Sequence, residues 1–260
     1  FVLEAALLQN LEVTDRLVEN LVPGMVEVEG TRLKKFLGGR ILVYDAKPQE
    51  EMLRRIFGRG ADISLCDLAP EIAGVFPSTR GKSLLRLAFE RSLASVPAAQ
   101  VWVVTGAAYA DQVAAMLPEV PAAQILGEPV GRDSLNAVAW PAAVIAKLDP
   151  DAVIAQVTAD QVIEPIDTFA ARLETAFAVA EADPAALVTL GVLPTEPHTG
   201  YGYLHRGDPV AGFPGAHHVL GFTEKPAREV AESYLAQGEY WWNAGMFVWR
   251  ASTILEQLRV

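Results

Sequence analysis

The chain has 260 residues, 51% of them hydrophobic and 20% charged, which is ample for one large core or two modest ones, so a soluble α/β protein is expected. A formal net charge of −11 and a pI near 4.9 argue against a nucleic-acid surface and against anionic membranes, so an anionic ligand has to be attracted by local groups. The single cysteine, Cys66, excludes an intrachain disulfide and a thiolate metal cage and fits a reducing, cytoplasmic setting.

The longest apolar run, Ala137 to Ala146, is too short to span a bilayer, and the opening Phe-Val-Leu-Glu lacks the basic start of a signal peptide. Residues 1–78 read as a segment of uncertain role. Leu7, Leu8, Leu11, Val18 and Leu21 suit the inner face of one or two helices, with a break at Val22-Pro-Gly24. Ile41 to Asp45 reads as a strand, Pro48 to Phe57 as a helix and Ala61 to Cys66 as a further strand, together one β-α-β unit. Asp45 could hold a ribose, but no G-x-G-x-x-G precedes it.

From residue 79 to 260 the pattern is stronger. Helices are expected at Lys82 to Leu93, Tyr109 to Leu117, and from Asp133 or Ser134 through Ala139, where Pro141 marks a kink or a boundary before Leu148. A further helix, capped at Asp167-Thr168, carries Phe169, Leu173, Phe177 and Val179. Strands are expected at Val101 to Thr105, Gln124 to Pro129, Ala152 to Asp160 and Ala186 to Leu193. Alternation at this spacing favours a mainly parallel, Rossmann-like sheet with helices on both faces. After Pro194 shorter strands (Tyr201 to His205, Val219 to Phe222, Met246 to Trp249) and one helix, Arg228 to Leu235, read as a small antiparallel extension. The chain stops soon after a helix start at Ser252, the pattern of a domain truncated at its C-terminus.

Four clusters and one strand end could carry chemistry. Asp160, at the carboxyl end of its strand, reads either as a ligand for a cation or ribose or as a turn acid. In Gly127-Glu-Pro-Val-Gly-Arg132-Asp133-Ser134 a turn sets a guanidinium and a hydroxyl at a helix start, an anion site or a plain cap. The glycines of Thr199-Gly-Tyr-Gly-Tyr203 let the backbone approach a ligand, or belong to an ordinary edge strand. Glu224 and Lys225, adjacent on an extended segment, should point to opposite faces and form no simple salt bridge. Asn243, among the aromatics of Tyr240 to Phe247, needs a partner that a sugar would supply, unless it caps. The four histidines have no metal-binding spacing.

In this order the clusters resemble the sugar-phosphate nucleotidyltransferases, the mannose-1-phosphate guanylyltransferases above all, over about residues 81–258. The resembling residues are Gly127-Glu-Pro-x-x-Arg-Asp-Ser134, Thr158-Ala-Asp-Gln161, Leu190 through Tyr203, Phe222-x-Glu-Lys-Pro226 and Trp242-Asn-Ala-Gly-Met-Phe247. The resemblance implies a nucleotide-diphospho-sugar transferase type of α/β fold and an enzyme that makes GDP-mannose and pyrophosphate from GTP and mannose-1-phosphate with Mg²⁺. It implies Asp160 as the metal ligand, with Asp160, Lys225 and Arg132 carrying the reaction. Glu128, Arg132, Asp133 and Ser134 fall on the nucleotide side, and Gly202, Glu224, Lys225 and Asn243 on the sugar side. No nucleic acid or membrane partner is implied, and a homo-oligomer is compatible with it.

The chain also departs from the family. The glycine-rich phosphate loop is missing before Lys82, where Gly74 to Arg80 stands, and its partial echo, Gly30-Thr-Arg-Leu33 with Lys34, lies far upstream. The usual His after the metal Asp is Gln161, the usual Glu before Thr199 is His198, and the second metal-binding Asp of the family is expected beyond the point where this chain stops. The alternative is therefore a degenerate domain that binds sugar nucleotide as a regulatory or scaffold subunit.

Overall fold

The computed structural model describes the backbone of Arg40–Asp45 and residues 82–130, 133–159 and 161–259. The side chains of Arg40–Asp45, Asp133 and Ser134 lie outside the described residues. So do the expected helices of the first 39 residues, the Pro48 to Phe57 helix, the Ala61 to Cys66 strand, the stretch Gly74 to Arg80 and the echo at Gly30 to Leu33.

Among the described residues, eight strands form one sheet: β1 (Arg40–Asp45), β2 (Val101–Gly106), β3 (Ile125–Glu128), β4 (Val153–Thr158), β5 (Val188–Val192), β6 (Gly202–Pro209), β7 (His217–Glu224) and β8 (Tyr240–Arg250). The order is β3-β2-β1-β4-β8-β6-β7, with β5 paired to the other edge of β8. The helices are α1 (Leu84–Ser92), α2 (Ala110–Met116), α3 (Asp133–Leu148), α4 (Ile166–Ala182), α5 (Arg228–Gln237) and α6 (Ala251–Gln257).

Parallel pairing is confined to β3, β2, β1 and β4, and every pairing made by β5, β6, β7 and β8 is antiparallel. The sheet is thus mixed in equal parts, rather than mainly parallel with a small extension. The crossover from β4 through α4 misled the sequence reading. It delivers β5 in the direction of β4, but β8 is inserted between the two strands and antiparallel to both. Hydrophobic alternation reports burial, and it cannot report which strand lies next door.

Strand β1 comes from the segment set apart at residue 78, yet it pairs in parallel with both β2 and β4 at the centre of the sheet.

The period of two along the strands divides the core. Val101, Val103, Val153, Ala155 and Val157 point into one layer with Leu85, Ala88 and Phe89 of α1, Val113 of α2, and Phe169, Leu173, Ala176, Phe177 and Ala180 of α4. Trp102, Val104 and Ile154 point into the other, against Ala137, Trp140, Val144 and Ile145 of α3 and Ile254 of α6. Helices therefore cover both faces, as expected for continuous apolar strands.

Ser83 caps α1 by accepting from the Arg86 backbone N–H at 3.1 Å, and Gly238, at φ 69°, ends α5 in the left-handed region. Pro141 is no boundary, because α3 runs through it to Leu148. Asp167 is not a cap either: α4 starts at Ile166 after Pro165 and carries Asp167 in its first turn. Among the described residues, no helix is long and apolar enough to cross a membrane.

Candidate functional site

The register brings the carboxyl ends of the four parallel strands into one row. Asp45 lies level with Thr158 of β4, and Gly106 of β2 with Glu128 of β3. A row of strand ends is where an α/β sheet offers room and polar backbone for a ligand. Glu128 ends β3 and is buried. Gly127 beside it is there for space, since a Cβ would meet the Ala107 Cα at 3.0 Å. After β3 the chain turns into α3, whose first residues are Asp133 and Ser134. Arg132 and Asp160 fall outside the described residues, so the structure speaks only of what flanks them.

The flanks of Asp160 are firmly held. Arg91, on α1, donates from Nη1 to the Gln161 carbonyl at 2.8 Å and from Nη2 to the Thr158 carbonyl at 3.5 Å. Its guanidinium also lies 5.0 Å from the ring centre of Phe169 at the start of α4. Gln161 in turn donates from Nε2 to the Ala244 carbonyl at 2.9 Å, tying the end of β4 to β8. Thr158 Oγ1 is buried there with no hydrogen-bond partner.

At Asn243 to Met246 β8 bulges, so that Thr189 pairs with Phe247 while Gly191 pairs with Asn243. Gly245, at φ 68°, makes the turn, in a region where a side chain would be strained. Asn243 Oδ1 accepts from Thr189 Oγ1 at 2.9 Å and from the Gly245 N–H at 3.2 Å. The protein thus supplies partners for the Asn243 oxygen, leaving its amide nitrogen as the group available to a ligand.

Two of the residues expected on the sugar side, Gly202 and Glu224, meet across β6 and β7. Gly202 pairs with Glu224, and a Cβ on Gly202 would lie 2.8 Å from Glu224 Oε2 and 2.6 Å from the Phe222 ring. The glycine leaves the carboxylate beside bare backbone. Glu224 and Lys225 do form an ion pair, with Nζ 3.1 Å from Oε1, contrary to the expectation for neighbours on a strand. The reason is local: Lys225 has φ 43°, which ends the extended stretch and swings its side chain back over its neighbour. Its backbone N–H donates to the Tyr201 carbonyl at 3.2 Å, which helps hold that strained conformation.

Sequence reasoning missed an aromatic wall beside this pair. Tyr201 stacks on His198 at 4.1 Å and meets the edge of Trp242 at 5.1 Å. His198 Nδ1 accepts from the Gly200 N–H at 3.0 Å, and Tyr203 donates its hydroxyl to the His198 carbonyl at 2.8 Å. His198 and Tyr201 stand three residues apart between β5 and β6, and the pairing of β6 with β8 brings Trp242 to them. Arg91 did leave a signal, being a charged residue on the apolar face of α1 among Leu84, Leu85, Ala88 and Phe89.

The resolved pKa shifts fall on other residues. Hydrogen bonds from Arg86 hold Glu119 below the usual carboxylate range, and the partnership raises Arg86. Burial pushes Glu90 up, but bonds from Lys82 and Arg86 outweigh it and leave Glu90 lowered. Burial first, then Tyr234 and Glu239, raises Tyr240, which stacks on Tyr234 at 3.7 Å. Among the described residues no three His, Cys, Asp or Glu side chains converge to hold a metal.

The family model described as nucleotidyl transferase matches residues 72–259. Curated relatives include a mannose-1-phosphate guanylyltransferase of Escherichia coli (strain K12), 42% identical over 139 residues, and one of Klebsiella pneumoniae, 44% identical over 139 residues. Each match covers 52% of this chain, which spans 29% and 28% of those relatives' lengths. Among solved structures, one titled mannose-1-phosphate geranyltransferase, from Thermus thermophilus, superposes with a TM-score of 0.66 at 25% identity, covering 85% of this chain and 62% of that one.

Proposed function

The chain belongs to the nucleotidyl transferase family, and from that premise we propose that it forms GDP-mannose and pyrophosphate from GTP and mannose-1-phosphate, in the cytoplasm. One observation carries this reading. A carboxylate and an ammonium, Glu224 and Lys225, stand beside the bare backbone of Gly202.

Such a pair suits a sugar phosphate. Lys225 exchanges its ion pair for the phosphate, which frees Glu224 to accept hydrogen bonds from sugar hydroxyls. Gly202 offers its backbone, and Asn243 its amide nitrogen. Glu128, Arg132, Asp133 and Ser134 serve the nucleotide, with the N-terminus of α3 favouring its phosphates. The sugar-phosphate oxygen then attacks the α-phosphorus of GTP in line, and the bond to pyrophosphate breaks as the new P–O bond forms. This displacement needs alignment and charge neutralisation, not a nucleophilic side chain.

An oxygen donor close in sequence to Asp160 supports Mg²⁺ as the cation of the reaction. Thr158 Oγ1, buried without a partner at the end of β4, stands two positions before the Asp160 carboxylate, and oxygen donors of this kind suit a hard cation. Asp160 would hold the ion, which when bound supplies charge neutralisation at the phosphates.

The test is pyrophosphate release from GTP, mannose-1-phosphate and Mg²⁺, beside Asp160→Ala. The expected result is release that falls about a hundredfold or more in the variant. No release, with GDP-mannose still bound in calorimetry, would leave the chain as the degenerate binding domain.

A further inference from the structure

We infer that the outer edge of β7 is a self-pairing surface: a second copy of this chain adds its own β7, antiparallel, across a two-fold axis between Leu220 and Gly221. Among the described residues, β7 pairs only with β6 and ends the sheet. Edge strands are commonly blunted by proline, lysine or short length, because their outer N–H and C=O groups invite another strand. β7 runs for eight residues with neither proline nor lysine. It holds three apolar side chains in the open, Val219, Leu220 and Phe222, exposed by 53%, 66% and 52%.

The occupant is read from a bulge in this strand. His205 pairs with Gly221 but Arg206 with Val219, so Leu220 is the extra residue. The Lys225 N–H donates to the Tyr201 carbonyl, so alternation turns the backbone groups of Thr223 and Gly221 toward β6 and those of Glu224 and Phe222 outward. Beyond the bulge, the Arg206 N–H donates to the Glu239 carbonyl at 2.8 Å, away from β7, which leaves Val219 opposite it directed outward, and His217 with it.

The side chains follow the same shift. Phe222 lies opposite Leu204, and Leu204 opposite Trp241. Val219 lies opposite Arg206, whose guanidinium is 5.5 Å from the Trp241 ring centre, and His217 meets the same ring edge-on at 5.4 Å. His217, Val219, Phe222 and Glu224 therefore share one face, which a strand of strict period two forbids.

A second β7 run antiparallel about the bulge matches this spacing. Val219 falls opposite Phe222 and His217 opposite Glu224, each pair occurring twice, so apolar meets apolar and a basic ring meets a carboxylate. An interface between identical copies requires such self-complementarity. Gly221 falls opposite Leu220 at the axis, and its Cβ position has no neighbour nearer than 3.9 Å, so the two bulges have room to meet. The net charge of −11 does not oppose contact here, because Glu224, the one carboxylate of β7, has Lys225 Nζ at 3.1 Å.

The experiment is sedimentation velocity on the full chain over about a hundredfold range of concentration, beside Val219→Lys and Leu220→Glu, with thermal unfolding to show that each variant folds. Hydrogen exchange of the Val219 and Phe222 amides is followed at both ends of that range. The expected wild type is a dimer that dissociates on dilution, its two amides losing protection as it does so. Each variant weakens the dimer about tenfold or more, since a charge at this edge enters the interface twice, and having two exposed positions keeps the test open if one variant does not fold. A wild type that is monomeric throughout overturns the inference, as does a dimer that neither folded variant weakens. Protection of both amides in the monomer overturns it too, because the edge is then covered by another part of the chain itself. None of these readouts depends on nucleotidyl transfer, so pyrophosphate release and self-pairing fail or stand separately.

Discussion

At the scale of single residues, the candidate site depends on two backbone conditions that local sequence only half announces. Gly202 must be bare because Phe222 and Glu224 occupy the space of its Cβ. Gly202→Ala should therefore lose about 1–3 kcal/mol of stability by overpacking and raise KM for mannose-1-phosphate more than it lowers kcat, checked by urea unfolding and steady-state kinetics. Lys225 presents the opposite case, a side chain kept where the backbone disfavours one, at φ 43°. Lys225→Gly should gain up to about 1 kcal/mol in stability by relieving that conformation and yet lose most pyrophosphate-releasing activity. A variant that loses stability instead would show that the Glu224 ion pair outweighs the strain.

At the scale of elements, α1 links the surface to the site. Its outer side carries Arg86 and Glu90, joined by Lys82 just before the cap, and Arg86 reaches Glu119 in two hydrogen bonds of 2.9 and 2.8 Å. Glu90 and Glu119 both titrate lower in the folded chain than free carboxylates do. Their contribution to stability is thus fully present above the ordinary carboxylate pKa of about 4.3 and is lost as the pH falls through their depressed values. Arg86→Met should flatten that acid limb, seen as a smaller difference in Tm between pH 7 and pH 3 than in the wild type. Added salt should weaken the wild-type network at neutral pH, since it is largely exposed. On the inner side of the same helix, Arg91 donates to the carbonyls of Thr158 and Gln161.

At the scale of the whole molecule, the sheet separates two cores that share strands but not side chains. Leu173 lies fully buried in one and Ile145 in the other. Leu173→Ala and Ile145→Ala should each cost about 2–5 kcal/mol, and the double variant should cost their sum to within about 0.5 kcal/mol, because the sites lie on opposite faces. Marked non-additivity in urea unfolding would mean that the strands between them shift together.

By itself, the sequence determined the elements and their burial. Apolar runs such as Val101 to Thr105 and Ala152 to Val157 have one stable use in water, as strands covered on both faces, and the spacing of Phe169, Leu173 and Phe177 has one use, as the inner face of a helix. It also set out the candidate site residues as ordered clusters, since Gly202, Glu224, Lys225 and Asn243 each sit in a local pattern that restricts the backbone. Only the tertiary structure decided which strands are neighbours. It placed β1 between β2 and β4, set β8 between β4 and β5, and thereby brought Tyr201, Trp242 and His198 into one wall. The physical reason is that burial and backbone preference are local and leave periodic marks, whereas strand order and contacts between distant side chains are set by packing across the sheet. Arg91 lies on that divide: its charge on an apolar face was visible in the sequence, and its partners, about 70 residues away, were not.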